Sequence, residues 1–279
     1  MNKKLKMFRL EELIQMKMSE IKKLNIGLKA ENLVWIAKNS FSNKIPPFYI
    51  ILPEECEKLL ENNSKILDIR KEINLLSSQI NTKFFFVRSS AQFEDKMGLP
   101  TAGLFLSLGK VPSENLERAI KKCIMSTRKK KIRKILGSYP STAIIVQKMI
   151  LSSSSGVLFT KDPILDDKSR IIIEAGFGLG ETVVSGKFNI DHYEIDKENP
   201  NKVIKSQIYE KNHYISSQSN RIKNVPKSKR KKSVLSQNQL ISLARMALDL
   251  ENLYRKAIDL EWTIDKGERI WFLQLRQAQ

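Results

Sequence analysis

The chain has 279 residues, 41% of them hydrophobic, and a formal net charge of +19 at pH 7. That length fills one large domain or two small ones, and its most apolar stretch, residues 143–151, is broken by Gln147 and Lys148, far short of a bilayer span. The basic start MNKKLKMFRLEEL meets acidic residues before any apolar signal core, and Cys56 and Cys123 make neither a disulfide framework nor a CxxC motif, so a cytoplasmic protein with no membrane partner is expected.

Much of the positive charge sits in residues 121–134 (KKCIMSTRKKKIRK) and 227–232 (KSKRKK). Such runs read as solvated surface. They are not paired with the aromatic-bearing strands of a single-strand-binding platform, so nucleic acid is not the expected partner; a basic nucleic-acid-binding protein stands as the third reading, on charge alone.

In chain order, residues 1–24 mix charge with Leu, Ile and Met at helical spacing and read as a basic amphipathic leader. Between 57 and 80, Leu59, Ile66, Ile69, Ile73, Leu76 and Ile80 keep to one side of a helix that packs on a core. Residues 84–87 (FFFV) are a buried strand that ends at Arg88. Residues 143–149 and 157–160 are β-prone, and the Ser-rich stretch 152–156 between them reads as the turn of a hairpin closed by Lys161-Asp162-Pro163. Residues 171–173 form a strand that runs into EAGFGLGE, and 189–232 reads as an edge strand with loops. Ser236 and Gln239 have capping-box spacing ahead of Leu240, Leu243, Ala247, Leu250 and Tyr254, a terminal helix. Last come two strands, 259–265 and 269–276, joined by the two-residue turn Lys266-Gly267. Strands mixed with helices in antiparallel pairs predict an α+β fold.

Period two puts Asp259, Glu261 and Thr263 on one face of that hairpin. A two-residue turn sets Asp259 opposite Gln274 and Glu261 opposite Phe272, with Arg276 on the same face. Two carboxylates and an amide oxygen are hard ligands that suit Mg²⁺; a solvent-facing strand pair with Arg276 bridged to Asp259 fits the same pattern. EAGFGLGE fits either an anion nest or a structural turn, and it is neither a dinucleotide fingerprint nor a P-loop. His192 and His213 stand in no catalytic-triad or zinc-ligand spacing.

Taken in order, GLKAENL, PPFYII, FFVRSSAQFED, TAGLFLSLGKV, AIIVQKMI, GVLFTKDP, IIIEAGFGLGETVVSG, DLEWTID and IWFLQLRQ resemble the N-terminal ATP-binding domain of phosphoenolpyruvate synthase, which is similar in pyruvate phosphate dikinase and rifampicin phosphotransferase. The resemblance covers roughly residues 25–278. It implies an ATP-grasp fold, with two lobes at about 25–110 and about 140–279 closing on a nucleotide, and ATP and Mg²⁺ as ligands. It further implies that Lys29 and Arg88 act on the phosphates, with Arg88 neutralising the transferring group. Gly103 and Ser107 would lie on a loop covering the phosphates, Gln147 would face the adenine with Met149 nearby, Glu261 and Gln274 would hold Mg²⁺ with Asp259 in support, and Arg276 would reach the phosphates.

The chain departs from the family pattern at Gly27-Leu28-Lys29, where Gly-Gly-Lys is usual, at Leu104 in place of Gln, and at Ser107 in place of Thr. Family members pass the phosphoryl group to a histidine on a swivelling domain, and neither His192 nor His213 has that context. A phosphohistidine-domain partner in trans is therefore implied. The alternative is a non-catalytic ATP sensor or remnant.

Overall fold

The structure is a computed structural model, which describes residues 6–61, 78–80, 82–92 and 105–278. The chain forms two compact units, Met1–Met149 and Ile150–Gln279. These differ from the expected lobes, because residues before 25 and a strand after 140 both build the first unit.

The first unit runs β1 (Met7–Arg9), α1 (Leu10–Leu13), α2 (Met18–Lys23), α3 (Leu28–Ile36), β2 (Phe48–Ile51), α4 (Pro53–Glu61), β3 (Phe84–Ala91), β4 (Ser107–Pro112), α5 (Leu116–Ser126), α6 (Lys130–Leu136) and β5 (Thr142–Lys148). Among the described residues its strands form one sheet in the order β1-β2-β5-β3-β4. The expected leader is thus partly strand: Met7–Arg9 pairs antiparallel with β2. Of the helix expected over 57–80, residues 57–61, the end of α4, and residues 78–80 are helical, and residues 62–77 lie outside the described residues.

Strict alternation along β3 and β5 sorts the side chains of this sheet. Phe85, Val87, Ile144 and Val146 join Tyr49 and Ile51 in a core closed by Cys56 and Leu59 of α4 and by Leu116, Ile120, Cys123 and Ile124 of α5. Fully burying each large aliphatic side chain contributes roughly 1.5–3 kcal/mol. The other parity, Phe86, Arg88 and Ser90, faces away from that core. Arg88 is therefore not at a strand end as the sequence predicts; the strand continues to Ala91 because Ser89, Ser90 and Ala91 keep pairing with β5.

The second unit runs β6 (Ser152–Phe159), β7 (Arg170–Phe177), α7 (Glu181–Val184), β8 (Asp191–Asp196), β9 (Val203–Gln207), β10 (His213–Ser216), β11 (Arg221–Asn224), α8 (Gln237–Tyr254), β12 (Ile258–Asp265) and β13 (Ile270–Gln277). One sheet has the order β13-β12-β6-β7-β8-β9, and β10-β11 is a separate pair. Helix α8 starts at the expected capping box, Ser236 with Gln239, and buries Leu240, Leu243, Ala247 and Leu250.

The hairpin expected between 143–149 and 157–160 does not form. β5 pairs with β2 and β3, whereas the Ser-rich stretch is itself strand, pairing with β12 and β7. Serine is tolerated inside this sheet because its hydroxyls find partners: Ser155 Oγ donates to the Gly178 carbonyl at 2.7 Å and lies 2.8 Å from Thr263 Oγ1, and Ser153 Oγ donates to the Ile264 carbonyl. Such satisfaction removes the cost of burying a hydroxyl.

Residues 189–232 also hold more structure than the sequence suggests. Asp191 is buried and accepts from Lys211 Nζ at 2.5 Å, Val234 N at 2.7 Å and Tyr193 Oη at 3.1 Å. These contacts tie the segment to the sheet. The basic run at 121–134 spans α5 and α6, with Lys122, Lys129, Lys130, Lys131 and Lys134 exposed, the solvated surface its composition suggests. No helix of the described residues is long and apolar enough to cross a membrane.

Candidate functional site

In the first unit the sequence-predicted residues collect on the sheet face turned away from the helical core. Arg88 stands directly opposite Ser107 on β4 and Ile145 on β5, while Gln147 stands opposite Phe86 and Phe48. The Arg88 guanidinium lies 5.9 Å from the centre of the Phe86 ring, a cation–π distance. Gln147 is buried, and its Nε2 donates to the Pro46 carbonyl at 3.3 Å, which fixes the amide's orientation. Met149 is buried, and its Sδ accepts from Lys110 N at 3.0 Å. Lys29 lies in the first turn of α3, whose Ala30 amide donates to Ser90 Oγ at 3.1 Å. The structure thus brings Arg88, Ser107 and Gln147 onto one sheet, with the start of α3 hydrogen-bonded to it at Ser90. Gly103 and Leu104 lie outside the described residues.

In the second unit the register of β12 and β13 decides the site, and it differs from the expected one. The turn holds three residues, Lys266, Gly267 and Glu268, with Glu268 in the left-handed region at φ 61° and Asp265 N donating to the Arg269 carbonyl. This is the three-residue loop ending in a left-handed position. It shifts the pairing by one residue, so that Ile264 meets Ile270 and Trp262 meets Phe272. A bulge then interrupts the ladder between Glu261 and Trp262, with Leu273 as the extra residue on β13. Beyond it Glu261 faces Gln274, Leu260 faces Leu275 and Asp259 faces Arg276.

Without the bulge, continuing the same ladder would set Gln274 opposite Leu260, on the apolar side. A bulge re-aims side chains in this way. The sequence signal was present: Phe272 and Leu275 are both buried, yet they are three residues apart, and strict alternation cannot place both in one core.

Asp259 is 6% exposed, and its Oδ2 accepts from Arg276 Nε at 2.6 Å. Gln274 is buried and Glu261 half-buried. Among the described residues no group of three or more His, Cys, Asp and Glu is placed to hold a metal. The donors here are of another kind: two carboxylates and an amide oxygen on neighbouring paired positions, a set of hard oxygens that matches Mg²⁺ when water and substrate phosphate complete its shell.

The ladder carries the same face outward. Glu261 is opposite Val157, Val157 opposite Glu174 and Glu174 opposite His192, while Asp259 is opposite Phe159, Phe159 opposite Ile172 and Ile172 opposite Glu194. On this face Glu194 accepts from Arg170 Nη1, and from Lys205 Nζ at 2.9 Å. The hydrogen bond from Lys205, helped by Arg170, holds the Glu194 carboxyl below the ordinary carboxylate value. His192 lies between two acids, with Nδ1 3.9 Å from Glu174 Oε1 and Nε2 3.7 Å from Glu194 Oε1. In the sequence, Glu174 and Glu194 carry no expected role, and His192 is set aside because it stands in no catalytic-triad or zinc-ligand spacing. The alternation of His192 and Glu194 with Tyr193 and Ile195 was the period-two signal for a strand here.

The glycine loop is structural. Gly178 adopts φ 75°, and a Cβ there would lie 2.1 Å from the Ile215 carbonyl oxygen. Its amide donates to Ser153 O and that of Leu179 to Ile215 O, each at 2.9 Å, so these two amides are spent on backbone carbonyls.

The family model of the pyruvate phosphate dikinase, AMP/ATP-binding domain, matches residues 66–279, and the chain belongs to that family. The matched span includes Arg88, Gly103, Ser107, Gln147, Asp259, Glu261, Gln274 and Arg276, and begins after Lys29. The chain is 30% identical over 197 residues to prodigiosin synthesizing transferase PigC of Serratia marcescens, covering 68% of this chain and 22% of that protein. It is 32% identical over 201 residues to a probable phosphoenolpyruvate synthase of Methanocaldococcus jannaschii, covering 68% of this chain and 17% of that protein. It is 32% identical over 205 residues to rifampicin phosphotransferase of Bacillus cereus, covering 69% of this chain and 23% of that protein. The chain spans about a fifth of the length of these relatives.

Proposed function

We propose that the chain is the ATP- and Mg²⁺-binding component of a cytoplasmic phosphotransferase, an ATP-grasp domain that passes a phosphoryl group from ATP to a histidine carrier. The observation that carries this reading is the pairing of Glu261 with Gln274 beside Asp259 and Arg276, in a chain whose family is an AMP/ATP-binding domain. Glu261 and Gln274, with Asp259 in support, would hold Mg²⁺. The ion supplies charge neutralisation at the phosphates.

The chain's own residues do the rest. Arg276, whose Nε donates to Asp259, would offer guanidinium N–H groups to a phosphate. Lys29 and Arg88 offset the charge of the transferring group, where electrostatic stabilisation accounts for most of the catalysis. Gly103, outside the described residues, and Ser107 would cover the phosphates, and Gln147, whose amide nitrogen donates to the Pro46 carbonyl, would face the adenine.

The carrier is a histidine of another domain, in the same longer polypeptide or in a partner. Supporting this, His192 sits within β8 between Glu174 and Glu194, and His213 starts the β10 strand, so both lie in sheet ladders. The test is calorimetric titration with ATP, with and without Mg²⁺, on the wild type and Glu261→Ala. Mg²⁺-dependent binding that the variant loses supports the reading, and equal affinity in both proteins sinks it.

A further inference from the structure

Helix α3 begins at Leu28 with Gly27 in the capping position, and no side chain of the cap residue accepts from its first turn. The first amides of a helix need outside acceptors, usually an oxygen of the cap residue itself. Gly27 cannot carry one. Its φ is 80°, and a Cβ there would lie 2.5 Å from both the carbonyl carbon and oxygen of Ser90. The missing acceptor comes instead from Ser90, 60 residues away, whose fully buried Oγ takes the Ala30 amide at 3.1 Å. A second tie lies just outside the helix, where Gln92 Nε2 donates to Asn25 Oδ1 at 2.7 Å. Residues 25–30 are therefore held at both ends by Ser90 and Gln92. Lys29 immediately precedes one anchor point, and Arg88 precedes Ser90 by two positions on the same strand face.

We infer that Ser90 and Gln92 form a clip that fixes Lys29 relative to Arg88, and that Ser90 is a positioning residue for the phosphate-binding pair. The inference rests on the ATP-binding reading above. A displacement of order 1 Å at a reacting group is costly, and the clip holds the backbone that carries Lys29. Ser90 acts on ATP only through Lys29.

The test is a double-mutant cycle with Mg²⁺-ATP affinity as its readout, together with an amide-exchange measurement that needs no ligand. Ser90→Ala is expected to weaken ATP by about tenfold in the wild-type background and by less than about twofold in the Lys29→Ala background, since coupled residues are non-additive. Equal losses in both backgrounds, or no loss in either, overturn the positioning role. Amide exchange over residues 28–31 is expected to accelerate selectively in Ser90→Ala, and unchanged exchange there overturns the clip whether or not ATP binds. If Ser90→Ala does not fold, Gln92→Ala, at a half-buried position, is carried through the same cycle with the same two criteria. Absence of ATP binding in the wild type, with exchange accelerated as expected, refutes the ATP reading and leaves the clip standing.

Discussion

Glu261 and Gln274 face each other across β12 and β13, immediately beside the bulge at Leu273. Their oxygens are the metal-facing part of the proposed site, so Gln274→Leu, a near-isosteric change at a buried position, is expected to leave the fold intact. Mg²⁺-ATP affinity is expected to drop about tenfold or more, the equivalent of about 1.4 kcal/mol or more. Calorimetry alongside thermal melts checks both halves of the expectation.

Gly27→Ala is expected to destabilise the protein by about 2–4 kcal/mol. The positive φ alone costs a non-glycine residue of order 1–3 kcal/mol, and the new methyl meets the Ser90 backbone at 2.5 Å as well as its Oγ at 2.6 Å. Urea unfolding measures the loss.

Lys211 and Asp191 are a fully buried ion pair at 2.5 Å, 1% and 0% exposed. Removing only the cation, as in Lys211→Met, leaves a buried carboxylate with one partner gone, and single truncations of this kind cost about 3–5 kcal/mol. A smaller loss than about 1 kcal/mol in chemical denaturation would show that water reaches Asp191.

Glu194 titrates below its ordinary value of 4.5 because Lys205 and Arg170 favour its charged form. A lowered folded-state value means the unfolded chain binds the proton more readily, so the stabilisation is complete above pH 4.5 and is lost as pH falls through the folded-state value. Glu194→Gln is therefore expected to melt lower than wild type at pH 7, and the gap is expected to close toward pH 3. A gap that persists unchanged at low pH contradicts the assignment.

The elements that were legible in the sequence are those whose signals are local. The capping box at Ser236 and the apolar spacing from Leu240 to Leu250 define α8 without help from elsewhere, and alternation placed Asp259 and Glu261 on one face. What was not legible depends on distant partners. Residues 152–156 read as turn chemistry because serine favours turns when solvated, and become strand only because Thr263 and the carbonyls of Gly178 and Ile264 receive their hydroxyls. Residues 189–232 read as an edge strand with loops because the buried partner of Asp191, Lys211, is 20 positions away. Arg88 looks like a strand end because the serines after it carry no β signal of their own, although β5 pairs them. Of the candidate site, residue types and faces could be read from sequence, while the partners of Glu261 and Asp259 could not, since two one-residue shifts separate the expected pairing from the real one.

The bulge has a bearing on how such chains are compared. Because Leu273 is supernumerary to the ladder, excising it would leave Glu261 still facing Gln274 and Asp259 still facing Arg276, whereas excising a loop residue would slide every partner downstream. A one-residue length difference between this hairpin and that of another chain should accordingly be aligned at position 273 and not in the loop, and an alignment that puts the gap at Gly267 will misassign the partners of Glu261 and Asp259.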